Sequence, residues 1–167
     1  MRGPATAAVV LGLLGVVAAL LTVDRERFWA NWVVWQLFLL SIALGALFLV
    51  ALEHLVGARW SVPLRRVPER IASLLLPAAP VALLGLLSLP TLYHAWTGAE
   101  ASAHPLVAGK AAWLNIPFFS GRLLACLAAW LVSYRVLVGG SLRQDATRDP
   151  AVNLRARRFA PAFMALF

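Results

Sequence analysis

The sequence predicts an all-α fold: a polytopic membrane protein with a four-helix transmembrane bundle and the start of a fifth helix. Three observations predict it. Of the 167 residues, 62% are hydrophobic and only 13% charged, whereas soluble domains run nearer half apolar and a quarter charged. The apolar residues form runs long enough to cross a hydrocarbon core, which takes about 20 helical residues. The charges gather between those runs. Nine of the 15 basic residues fall in two short segments, Arg59, Arg65, Arg66 and Arg70 in one and Arg143, Arg148, Arg155, Arg157 and Arg158 in the other. A net charge of +8 so distributed suits loops held at a membrane surface and gives little support to a nucleic-acid face.

The first span runs from Ala5 to Val23 without a charge. It follows a basic start at Arg2, but it is longer than a signal-peptide core and lacks a small-x-small cleavage site, so a retained helix is expected. The second runs from about Trp29 to Val56, long enough to tilt. The third runs from Ile71 to Tyr93 and contains Pro77, Pro80, Gly85 and Pro90. Each proline deprives a carbonyl of its donor, which suits either a kink at a ligand cavity or a bent packing helix. The fourth covers about Phe118 to Val138. A fifth begins at Phe159, after Arg157-Arg158, and its nine residues cover about 13 Å of helix. The chain, a single transmembrane domain over 1–167, is therefore expected to be the first part of a longer protein. An interfacial last segment is the alternative.

Loop charge sets the expected orientation. Arg59 to Arg70 carries four arginines against Glu69, and Arg143 to Arg158 carries five against two aspartates, while His94 to Pro117 carries only Lys110 against Glu100. The second and fourth connections are thus expected inside and the N-terminus cytoplasmic. Asp24-Arg25-Glu26-Arg27 becomes a short outer turn. Trp29, Trp32 and Trp35 mark the outer start of the second span, Trp96 and Trp113 the outer loop, and Trp60 the inner surface. The stretch from Trp60 to Ile71, bracketed by prolines, suits a segment lying along the inner surface with its arginines toward anionic headgroups. Small pairs for close helix approach are Gly15 with Ala19 and Ser41 with Gly45.

Ionisable groups at membrane depth are the candidate functional residues. Glu53 and His54 end the second span and Arg135 lies near the inner end of the fourth. Glu53 and Arg135 fall at similar depth, so an ion pair is geometrically possible if the helices are neighbours. Glu53 and His54 could instead begin a proton path, one being a carboxylate and the other an imidazole, both groups that carry protons in relays. The plainer alternative is that Glu53 balances local basic charge and Arg135 snorkels to the headgroups. On the outer side Tyr93 and His94 end the third span, Trp96 follows them, and Arg122 lies one turn into the fourth after Phe118 and Phe119. They offer the proton acceptor, hydrogen-bond donors and flat walls that a quinol headgroup needs, and equally the content of an ordinary interfacial belt.

No Walker, HExxH, GxSxG or GxGxxG sequence occurs. The single Cys126 forms no internal disulfide and reads as a small apolar side chain. His54, His94 and His104 lack the in-span spacing of paired haem ligands. No residue is assigned a catalytic or metal-ligating role.

Several segments resemble a known family. They are Leu40-Ser-Ile-Ala-Leu-Gly-Ala-Leu-Phe48 continuing through Glu53-His54 to Ala58-Arg-Trp-Ser-Val-Pro-Leu-Arg-Arg-Val-Pro-Glu-Arg70, then Leu92-Tyr-His-Ala-Trp96 and Trp113-Leu-Asn-Ile-Pro-Phe-Phe119 with Arg122. Together they resemble the NrfD-like integral membrane subunits of alternative complex III, in particular the ActF-like second quinone-binding subunit. The resemblance spans roughly Trp29 to Arg158. It implies a multi-pass subunit in the bacterial inner (cytoplasmic) membrane, within a respiratory quinol oxidoreductase. Menaquinol or ubiquinol would be the electron donor, and haem and iron–sulfur clusters would reside in partner subunits. Such subunits contain about ten spans, so this chain would correspond to the first bundle. Glu53, His54, Tyr93, His94 and Arg122 carry over as candidates for a quinol-proximal or proton-conducting role. A fragment of a secondary transporter, suggested by the broken third span and Glu53, and a structural scaffold subunit are the rival expectations.

Overall fold

The computed structural model describes residues 3–57, 64–98, 105–147 and 150–167. Arg2, Arg59, Trp60, Glu100, His104 and Arg148 lie outside the described residues. Nine α-helices and one 3-10 turn account for most of the described chain: α1 (Gly3–Thr22), α2 (Arg25–Val56), α3 (Arg66–Ala72), α4 (Leu75–Leu84), the 3-10 turn Gly85–Ser88, α5 (Leu89–Leu92), α6 (His94–Thr97), α7 (Pro105–Ala108), α8 (Ile116–Thr147) and α9 (Pro150–Leu166). No strand occurs among the described residues. Four stretches are long and apolar enough to cross a membrane: Gly3–Thr22, Arg25–Val56, Arg66–Leu92 and Ile116–Asp145.

The spans match the expected ones at their centres and differ at their ends for local reasons. Asp24 to Arg27, expected as an outer turn, opens α2. The Asp24 side chain accepts from the Glu26 N–H at 3.2 Å, and its carbonyl accepts from Phe28 at 2.8 Å. This is an ordinary N-cap. Asn115 opens α8 in the same way, its Oδ1 accepting from the Phe118 N–H at 2.8 Å. At its far end α8 continues past Val138 to Thr147, because helix propagation needs no apolar surface once a nucleus exists. The last helix likewise starts at Pro150, nine residues before the apolar run at Phe159.

The third span is one path made of four pieces. Pro77 cannot donate to the Ser73 carbonyl, which accepts from Leu76 at 3.1 Å instead. The result is the Ser73–Leu74 turn between α3 and α4. Near the other end the 3-10 turn places Ser88, whose hydroxyl donates to the Gly85 carbonyl at 2.6 Å. The carbonyl freed by Pro90, that of Leu86, accepts from Leu89. Each local break thus finds its own partner, as a low-dielectric setting demands.

The core is built on alanine. Ala43, Leu47, Val50 and Ala51 of α2 meet Ala72 of α3, Leu75, Ala78, Ala79 and Ala82 of α4, and Leu137 and Val138 of α8. Small side chains let the backbones approach closely, which in lipid replaces the hydrophobic drive of water. The expected Ser41–Gly45 pair does not serve this purpose. Ser41 is exposed, its hydroxyl returned to the Phe38 carbonyl at 2.8 Å, and a Cβ on Gly45 would meet nothing within 4 Å.

The α9 helix closes the bundle, burying Ala156, Ala160 and Phe163, one stripe at helical spacing. Arg157 lies over Gly57, and the Phe48 and Phe167 rings are 5.0 Å apart. Nine residues along α2 therefore match ten along α9, and the two run antiparallel. At the opposite extreme, α1 has no buried residue. Its small residues Gly12, Gly15 and Ala19 face α2 across an open groove of about 600 Å3 that also meets Trp32, Trp35 and Gln36.

Candidate functional site

The candidate residues fall toward the two ends of the bundle. At one end, Tyr93 stands at the junction of α5 and α6, out of helical geometry at φ −117° and ψ 30°. This backbone turn directs the chain off the third span and brings Trp96 toward the start of α8. The Tyr93 and Trp96 rings are 5.9 Å apart, and Trp96 and Phe119 are 5.8 Å apart. The Arg122 guanidinium lies 5.3 Å from the Phe118 ring centre and 5.8 Å from that of Phe119, a cation–π arrangement. Three of the four expected outer residues therefore form one chain of contacts, Tyr93–Trp96–Phe119–Arg122, across two spans. His94 is exposed beside it, the first residue of α6.

A second feature lies toward the same end. The break in the third span is held against α2 by two side chains. The Trp32 indole donates to the Val81 carbonyl at 3.1 Å. The Gln36 amide rests on Gly85, so closely that a Cβ there would stand 2.4 Å from Gln36 Oε1. A cavity of about 420 Å3 adjoins the break, lined by Leu87, Pro90 and Thr91 together with Phe28 and Trp29. The kinked helix thus has both a packing partner and an adjoining cavity.

At the opposite end, His54 is 7% exposed and its Nδ1 lies 2.9 Å from the Val50 carbonyl. A carbonyl can only accept, so Nδ1 carries the proton of that bond and Nε2 is left as the second polar atom of the ring. Glu53, one residue before it, is half-buried, and Arg135 is exposed on α8, which packs against α2.

The strongest electrostatic feature of this end joins helices distant in sequence. The Glu69 carboxylate, in a residue only 3% exposed, is held by two arginines of its own helical turn. Arg65 Nε is 3.2 Å from Oε1, and Arg66 Nη1 bonds Oε2. Both arginines also reach Asp145 near the end of α8, Arg65 Nη2 at 3.5 Å from Oδ1 and Arg66 Nη2 against Oδ2. Two cations and two anions thus tie the start of the third span to the end of the fourth. Arg65 and Arg66 of this segment are turned to these carboxylates, whereas Arg70 is exposed. The spacings of Arg65 and Arg66 from Glu69 are those of neighbours on a helix and could have revealed half of the cluster. Nothing in the sequence pointed to Asp145.

Cys126 is half-buried on α8, and no group of three or more metal-ligating side chains occurs among the described residues. No protein-family model matches the chain, and no curated protein matches it significantly.

Proposed function

We propose that the chain is an integral membrane subunit of a bacterial respiratory quinol oxidoreductase of the alternative complex III kind. It would contribute a quinol-proximal or proton-conducting helix bundle while partner chains carry the electrons. The observation that carries the reading is the Tyr93–Trp96–Phe119–Arg122 cluster. It unites flat aromatic walls with a fixed cation, and exposed His94 stands beside it as a proton acceptor. Those are the groups that bind a quinone carbonyl and accept a quinol proton. Buried His54 with half-buried Glu53 at the other end supports a proton route. The NrfD-like sequence segments run through both regions. In this reading the basic end faces the cytoplasm, and the N-terminus lies on the cytoplasmic side of the inner membrane.

The test is purification under mild detergent from the native membrane. Co-purification with haem and iron–sulfur subunits and with quinol oxidation is expected. Within that complex His94→Ala and Arg122→Gln should lower turnover at least tenfold, a loss of about 1.4 kcal/mol of transition-state stabilisation. A chain that purifies alone, or full turnover in both variants, overturns the proposal.

A second reading, a transporter half, is favoured by one observation: the 3-10 break at Gly85–Ser88 beside the 420 Å3 cavity. Broken helices at a cavity are a transporter device. Substrate-dependent quenching of Trp29 fluorescence, without redox partners, would favour it.

A further inference from the structure

The basic end contains two kinds of arginine. Arg65 and Arg66 are consumed by Glu69 and Asp145, two cations against two anions. Arg155, Arg157 and Arg158, all exposed on α9, have no carboxylate within ion-pair distance among the described residues. Their level in the bundle is fixed by contact. Arg157 lies over Gly57, the residue at which the second span ends. Arg155 and Arg158, within one helical turn of it, therefore stand at the level where the second span ends.

The helix face beneath them has a matching character. Pro161, Ala162 and Ala165 follow Arg158 by three, four and seven residues, so they continue its face of the helix. All three are exposed. The stripe of Ala156, Ala160 and Phe163 that packs against the bundle lies on the other side. The outer face of α9 thus presents cationic donors above a narrow apolar track.

We propose that this face binds an anionic phospholipid. The phosphodiester would be held by Arg155 and Arg158, which share that face at three-residue spacing, and one acyl chain would lie along Pro161, Ala162 and Ala165. Guanidinium forks suit phosphate oxygens, and juxtamembrane arginines each strengthen attraction to anionic lipid. An acidic protein or nucleic acid would satisfy the charges but leave the apolar track uncovered. The track, continuous with the arginines, selects a ligand with both a head and a tail.

The test is native mass spectrometry of the full chain delipidated in mild detergent and supplied with phosphatidylglycerol and phosphatidylcholine in equal amount. Phosphatidylglycerol should be retained on the order of tenfold or more over phosphatidylcholine. The double change Arg155→Gln and Arg158→Gln should abolish the preference. The corresponding double lysine variant should keep most of it. Arg25→Gln with Arg27→Gln, at the far end beside Asp24 and Glu26, should leave it unchanged. Excess inorganic phosphate should not displace the lipid, and displacement would identify a free-phosphate site and overturn the tail assignment. Equal retention of both lipids, or an unchanged preference in the glutamine double variant, overturns the proposal. If that variant loses its helical circular dichroism, Ala162→Trp on the exposed track decides: it must weaken phosphatidylglycerol retention with helicity intact, and unweakened retention overturns the proposal.

Discussion

Arg157 covers the bare backbone of Gly57, its Nη2 2.9 Å from where a Cβ would stand. Gly57 is in the left-handed region at φ 67° and ψ 35°, and its N–H donates to the Glu53 carbonyl. Two demands meet at this residue: a helix stop that favours glycine and close approach by a side chain of α9. Gly57→Ala should therefore destabilise the bundle by about 1–2 kcal/mol. Most of that cost is backbone strain, since a guanidinium at the end of a flexible side chain can move aside. Gly45→Ala, in open space within α2, should be neutral. Unfolding in a mixed detergent and dodecyl sulfate titration compares the two directly.

A second close approach joins the second and third spans. Gly85→Ala would drive a methyl into the Gln36 amide, so Gln36 must move or the spans must part. Alanine at both positions should recover much of the loss, giving a coupling energy of about 0.5–3 kcal/mol. Additive losses would mean that the contact carries no energy. Trp32→Phe, which deletes the bond to the Val81 carbonyl, should cost about 0.6–1.7 kcal/mol, the range for hydrogen bonds between membrane helices.

The spans were legible because membrane crossing leaves a coarse signal, a long apolar run between charged segments. Their internal structure was not. Pro77, Pro80, Gly85 and Pro90 announce irregular backbone, yet where it breaks depends on which freed carbonyl finds a donor. The Val81 bond to Trp32 is invisible without the fold. The outer cluster was partly legible, since Phe118, Phe119 and Arg122 share one turn. That Trp96 closes onto Phe119 follows only from the backbone at Tyr93. In the arginine segment before Ile71, composition reports the charge of Arg65 and Arg66, whereas only packing reports their pairing with Glu69 and Asp145.

Phe163 tests how firmly α9 belongs to the bundle. Among the described residues it is the largest fully buried side chain, and its ring lies 6.0 Å from that of Phe167, which in turn contacts Phe48. Phe163→Ala should cost about 3–5 kcal/mol. Cross-linking of cysteines placed at residues 48 and 167 should then fall, because the same cavity loosens the α9 end. Undiminished cross-linking would show α9 held by its Arg157 end alone.

Glu69 and Asp145 share the same two arginines but should differ sharply in consequence. The Glu69 side chain is 2% exposed and that of Asp145 is 54% exposed. Removing one partner of a buried pair strands the others in low dielectric, with costs of about 3–5 kcal/mol. Arg65 and Arg66 keep 19% and 35% of their side chains in contact with solvent, and they retain Asp145. Glu69→Gln should therefore fall below that range, at about 1–3 kcal/mol. Asp145→Asn loses only exposed pairing and should cost about 0.2–1 kcal/mol. Raised salt should erode the Asp145 contribution first, because screening reaches exposed pairs and spares buried ones. Unfolding titrations of both variants at low and high ionic strength measure the difference. Equal costs with equal salt dependence would mean that Glu69 is not a buried anchor of the third span.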